Sequence, residues 1–187
     1  MTVNILGTGW LDRESYGSEK LGRSVEYASR VALRKLGKED GLFAYPVKNF
    51  GRFDSVSRRV CYVTALALQD AGMEYSKDWK QDVGLLGTDE YGSEEANLSY
   101  FRDYVEGGRT LARANLFIYT LPSSPLAEAA VHFGLQGPLL YLRSQAGSVD
   151  PLLETARRMI AEGQAETMLV YDLSEKIDRC FVVGKSV

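Results

Sequence analysis

The sequence predicts an α/β fold: a mixed, mainly parallel sheet of about five strands, with helices on both faces and the last strand antiparallel. Three observations predict it. Short apolar runs alternate with stretches of helical periodicity, the pattern of strand–helix–strand units. The last two apolar runs, 167–174 and 179–184, lie too close together for a helix to cross between them, so they form a hairpin. The composition, 45% apolar and 25% charged over 187 residues, is that of one globular domain, 1–187.

Residues 3–6, VNIL, read as a strand entering a turn at Gly7-Thr8-Gly9. Leu21, Val25, Ala28, Ala32 and Leu36 recur at helical spacing and predict a helix stopped by Gly37. The polar stretch 38–56 reads as an extended loop. Val60, Val63, Ala67 and Ala71 mark a second helix, closed by Gly72. Residues 82–89 form a short buried strand that runs into a glycine turn. Residues 94–106 read as a helix with Leu98, Phe101 and Val105 on one face and Gly107-Gly108 as its stop. Another helix covers 124–134, with Leu126, Ala129, Ala130 and Phe133 inward. Strand 139–143 and helix 150–162 follow, with Asp150 as N-cap and Pro151 in the first turn.

Several function classes are disfavoured. The net charge of −3, with signs mixed along the chain, leaves no basic footprint for nucleic acid or an anionic membrane. No apolar run approaches the roughly 20 residues of a membrane span. The N-terminus lacks a basic segment followed by a long apolar one, so no signal peptide is expected. Two scattered cysteines make neither a disulfide framework nor a zinc site, and no metal or cofactor is expected. A cytoplasmic protein is the simplest reading.

The candidate chemistry is sparse. Gly7-Thr8-Gly9 opens a dinucleotide fingerprint whose third glycine position holds Asp12, so a plain turn is the better reading. Gly184-Lys185-Ser186 carries the last letters of a phosphate loop with no helix after it. His132, the single histidine, has no serine or cysteine nearby in an activating pattern, and Cys61 and Cys180 read as small buried hydrophobes. Glu94 and Glu95 read as a solvated helix face. Between strand 139–143 and helix 150–162 lies a tight bend, the geometry that holds many nucleophiles. G-x-S-x-G is absent there, and the bend offers only Ser144, Gln145, Ala146, Gly147 and Ser148.

Five stretches, in order, resemble the N-terminal half of β-ketoacyl synthases of the thiolase-like superfamily. VNILGTGWLD is similar to the family's opening strand, and RFDSVSRRVCYVTALALQDAG (52–72) to the helix that ends in an EDAG-like signature. VGLLGTDEYGS (83–93) is similar to the second strand, and EGQAETMLVYD (162–172) to the R-x-G-x-A-D-x-M-L stretch. The most specific piece is NLFIYTLPSSPLAEAAVHFGLQGP (115–138), with its proline segment, small-residue helix and F-G-L-x-G-P.

The resemblance implies a thiolase-like half and a place for a cysteine that is not there. The family's nucleophile stands eight residues after the proline of F-G-L-x-G-P, and that count from Pro138 lands on Ala146. QAGSVD also resembles the Q-A-G-G-L-D of chain-length factors, in which glutamine replaces the cysteine, and by that match Gln145 holds the position. Either way the position carries no thiol. The family's histidines lie in a C-terminal repeat that this chain does not reach. Condensation needs a thiolate to take the acyl group and donors to stabilise a carbanion. The resemblance therefore implies a non-catalytic, chain-length-factor-like subunit of fatty acid or polyketide biosynthesis. It would act through a partner ketosynthase or acyl carrier protein. A self-associating relic with no acyl ligand, or an acyl-transfer enzyme using Ser144 or Ser148, remain the alternatives.

In the family, the strand before the bend pairs across a dimer. This implies that Leu139, Leu140, Tyr141, Leu142 and Arg143 lie at an interface, with a second copy or a full-length ketosynthase opposite. Helix 150–162, sandwiched in the complete family fold, here has an apolar stripe of Leu152, Leu153, Ala156, Met159 and Ile160. Its other face, with Glu154, Arg157 and Arg158, tolerates water.

Overall fold

One mixed sheet of seven strands runs through the computed structural model, which describes residues 2–27, 41–89, 92–110, 112–143, 148–174 and 176–185. The strands are β1 (Val3–Asp12), β2 (Ser15–Ser18), β3 (Arg23–Glu26), β4 (Val83–Asp89), β5 (Leu139–Tyr141), β6 (Thr167–Leu173) and β7 (Ile177–Lys185). The helices are α1 (Ser55–Ala71), α2 (Glu94–Glu106), α3 (Ala114–Ile118), α4 (Ser124–Phe133) and α5 (Asp150–Ala161). The sheet order is β3-β2-β1-β7-β6-β4-β5.

The α/β class, the helices on both faces and the antiparallel last strand are as the sequence predicts. The strand count and balance differ. Among the described residues, β4 alone makes parallel ladders, with β5 and β6, while the other four ladders are antiparallel. The extra strands come from the N-terminus, where two expectations fail together. Gly7-Thr8-Gly9 is not a turn but the middle of β1. A Cβ on Gly7 would stand 2.4 Å from the backbone N of Ala71, and one on Gly9 would stand 2.4 Å from the carbonyl of Val63. These glycines let α1 lie directly on β1. The predicted helix at Leu21 and Val25 is instead the turn and second strand of a hairpin, with Gly22 at φ +60°. Side chains hold that hairpin in place of helical bonds. The Asp70 carboxylate accepts from the backbone N–H groups of Thr8 (2.8 Å), Lys20 (3.1 Å) and Leu21 (2.8 Å). The rest of that predicted helix, at Ala28, Ala32 and Leu36, lies outside the described residues.

α1 begins where Asp54 caps it, accepting from the Ser57 N–H at 2.8 Å, and ends at Gly72 with φ +68°. α1 and α4 cover one face of the sheet, against Leu85, Leu169, Tyr171, Cys180 and Val182. α5 covers the other, burying Leu152, Leu153, Ala156, Met159 and Ile160 against Leu86, Met168, Val170 and Val183. Successive β6 residues alternate between these two cores, as strand geometry requires. The outward face of α5, with Glu154, Arg157 and Arg158, is exposed. Asp150 is the first helical residue rather than the N-cap, which is Val149 in a helical conformation with no side-chain cap. β5 ends at Tyr141, although the Leu142 N–H still donates to the Gly87 carbonyl at 2.9 Å. Among the described residues, no helix is long and apolar enough to cross a membrane.

Candidate functional site

β4, β5 and β6 run parallel, so their C-terminal ends open at one edge of the sheet, the usual place for a site in α/β folds. A cavity of about 890 Å³ lies there. Asp12, Asp89 and Leu173 line it from the ends of β1, β4 and β6, and Asp178 from the start of β7. The first turns of α1 add Arg58, Arg59 and Tyr62, and those of α2 add Glu94, Glu95 and Leu98. Glu94 and Glu95 are exposed, as a solvated helix face requires, and also line this cavity.

Among the carboxylates that line the cavity, Asp178 is the most strongly shifted. It is buried, and Arg59 donates from Nε to its Oδ2 at 2.6 Å. Burial pushes its carboxyl up to about 6; Arg59 opposes the rise, and the Asp89 and Asp172 carboxylates add to it. Its Oδ1 finds no hydrogen-bond partner among the described residues. Asp12 behaves oppositely. Burial raises it, but hydrogen bonds from the Glu14 and Ser15 backbone and the Ser15 hydroxyl outweigh this and hold it low. No sequence signal pairs Arg59 with Asp178, because the two are far apart in the chain and meet only through the packing of α1 on β7.

None of these groups makes an activated nucleophile. Cys61 in α1 and Cys180 in β7 are buried, and burial pushes both thiols well above their ordinary range. His132 sits apart from the cavity, caged by the rings of Phe43, Tyr45, Tyr75 and Phe133. Burial pushes it down to about 4, and its Nε2 has no partner among the described residues, so it is neutral. Packing, rather than catalysis, is its place in the fold. Among the described residues, no group of three or more His, Cys, Asp or Glu is placed to hold a metal ion.

The bend itself is only partly described. Ser144, Gln145, Ala146 and Gly147 lie outside the described residues. Ser148 is exposed, its hydroxyl 3.4 Å from Asp150 Oδ2. β5 is one of the two edge strands of the sheet, paired among the described residues with β4 alone. Leu140, Leu142 and Arg143 are exposed along it, while Leu139 packs on the core. Tyr141 turns its hydroxyl toward Gly92, and burial pushes it up to about 12.

Residues 12–171 match the β-ketoacyl synthase, N-terminal domain family. A putative polyketide β-ketoacyl synthase 1 of Streptomyces virginiae is 26% identical over 151 residues, covering 76% of this chain and 35% of that protein. The fold is similar to a β-ketoacyl synthase from Burkholderia phymatum STM815, with TM-score 0.69 and 16% identity over 98% of this chain and 59% of that one. It is also similar to the ishigamide ketosynthase/chain length factor, with TM-score 0.68 and 13% identity over 100% of this chain and 63% of that one. A ketosynthase in complex with its chain length factor from Xenorhabdus doucetiae gives TM-score 0.59 at 11% identity, covering 100% of this chain and 80% of that one. The chain thus spans about a third of the curated relative's length.

Proposed function

Because the chain belongs to the β-ketoacyl synthase N-terminal domain family, we propose that it is a ketosynthase-like subunit of cytoplasmic fatty acid or polyketide biosynthesis that does not itself condense acyl groups. It acts in the manner of a chain-length factor, through a partner ketosynthase or acyl carrier protein. Structural neighbours that include a ketosynthase/chain length factor and a ketosynthase bound to its chain length factor support this reading.

One observation carries the proposal. The two thiols of the sequence are both accounted for, one inside α1 and one inside β7, each buried and held protonated. A Claisen condensation needs a thiolate to accept the acyl chain, and the 144–148 bend carries Ser-Gln-Ala-Gly-Ser. Gln145 or Ala146 stands in the place of the nucleophile. The exposed edge strand supplies the means to act through another chain: Leu139, Leu140, Tyr141, Leu142 and Arg143 form the interface, by strand addition or edge packing.

The test has two arms. Purified protein incubated with malonyl and acyl thioesters yields no lengthened product and takes no acyl label. Captured from native lysate, it brings down a ketosynthase or acyl carrier protein, and Leu140→Asp abolishes that capture. Elongation by the protein alone would overturn the proposal.

A further inference from the structure

The cavity at the strand ends holds a carboxylate that the fold satisfies only by half. Asp178 is 3% exposed, and its Oδ2 accepts from Arg59 Nε at 2.6 Å. Its Oδ1 meets no donor among the described residues, although the side chain lines the cavity. A buried acceptor without a donor forfeits its hydration, and an ionised one forfeits more than a neutral one. At neutral pH this carboxyl, at about 6, is mostly ionised. A donor brought in by a ligand would therefore be strongly held there.

The surroundings select the kind of donor. Six carboxylates line the cavity against four basic side chains. Two of those four, Arg13 and Lys176, are exposed, which places them at the rim, and Arg59 already holds Oδ2. Asp12 adds a second carboxylate, which hydrogen bonds from Glu14 and Ser15 keep ionised. The balance favours a positive donor over a neutral or negative one. A bare metal ion does not fit, since no three His, Cys, Asp or Glu side chains converge among the described residues. Apolar side chains complete the inner wall: Leu11, Tyr62, Tyr119 and Leu173, all buried. At about 890 Å³ the cavity falls in the range of roughly 300–1,000 Å³ that small-molecule sites occupy. A wall of this kind with one charged anchor takes an amphipathic molecule, apolar along its body and cationic at one tip.

We propose that the cavity binds a small organic amine, its ammonium donating to Asp178 Oδ1 and its apolar body lying against Tyr62, Tyr119 and Leu173. The proposal rests on neither the bend nor the β5 edge. The test titrates the isotope-labelled full chain with phenethylamine and follows the backbone amide resonances. The amine shifts the amides of Asp89, Leu173 and Asp178 saturably. Phenethyl alcohol, its neutral isostere, and the anion hydrocinnamate bind at least fivefold more weakly. From pH 7.5 to pH 5 the affinity for the amine falls about tenfold, as the carboxyl, faced by Arg59 of α1, Asp89 of β4 and Asp172 of β6, takes up a proton. Asp178→Asn removes the preference for the amine over the alcohol. Asp172→Asn, on the opposite face of β6, leaves it unchanged at pH 7.5. No saturable shift, an alcohol bound as tightly as the amine, or an affinity flat over that pH range overturns the proposal. So does an Asp178→Asn chain that keeps the preference. Should that variant fail to fold, the comparison of amine with alcohol and the pH profile decide on the wild-type chain.

Discussion

Two buried ionisable groups pull the stability of this protein in opposite directions with pH, and separating them tests both placements. Asp178 has its folded-state pKa raised from 3.8 to about 6, chiefly by burial. The raised value means the native state holds a proton that the unfolded chain has released. The stabilisation is therefore full below pH 3.8 and lost as pH rises through 6. A shift of about two units corresponds to about 3 kcal/mol. His132 is pushed from 6.5 down to about 4 by burial, so its contribution has the opposite sign. It is full above pH 6.5, and is lost as pH falls toward 4, again by about 3 kcal/mol.

The two windows overlap and their slopes oppose, so these two groups together change wild-type stability little between pH 4 and 6.5. Asp178→Asn removes one slope, and the variant loses about 3 kcal/mol on acidification across that window. His132→Phe, which fits the ring cage, removes the other, and that variant gains on acidification. Glu128 and Asp172, both raised mainly by burial, add slope of the Asp178 sign. Urea unfolding at half-unit pH steps, with a constant m-value as control, reads each slope directly. If both variants stay as flat as the wild type, or the slopes come with exchanged signs, the buried placement of these groups is wrong.

The N-terminal hairpin gives two further expectations. Asp70→Ala leaves three backbone N–H donors without their acceptor and costs about 3–5 kcal/mol in denaturant unfolding. Asp70→Asn keeps the shape and costs less. Gly9→Ala drives a Cβ to 2.4 Å from the Val63 carbonyl, forcing α1 off the sheet. It costs upward of about 2 kcal/mol, seen as a lowered Tm, whereas Gly51→Ala, at an open position, is neutral.

How far the sequence reveals the fold depends on whether local pattern or distant contact decides. α1, α4, α5 and β4 were legible because each carries its own periodicity and its own stop, as with Gly72 after α1. β2 and β3 were not, because the Asp70 carboxylate that fixes their turn lies some fifty residues away and overrides the helical spacing of Leu21 and Val25. Gly7 and Gly9 were misread for a related reason: a glycine in an apolar run signals either a turn or a close approach, and only the seating of α1 decides between them. The site shows the same division. The strand–bend–helix pattern at 139–162 is local and was visible. The cavity and the Arg59–Asp178 pair join six strand and helix ends, and nothing in the sequence links them.

The two sides of α5 bear on where function resides. Its inner stripe is fully engaged with Met168, Val170 and Val183, while Glu154, Arg157 and Arg158 face water. A helix with this pattern is stable on one sheet and needs no second sheet over it. Leu142, Arg143 and Ser148, on either side of residues 144–147, are exposed, so packing places little constraint on these flanks. Stability measurements will not distinguish an active bend from an inert one. Acyl labelling and partner capture will, because they read the chemistry of the bend and the exposed edge of β5 directly.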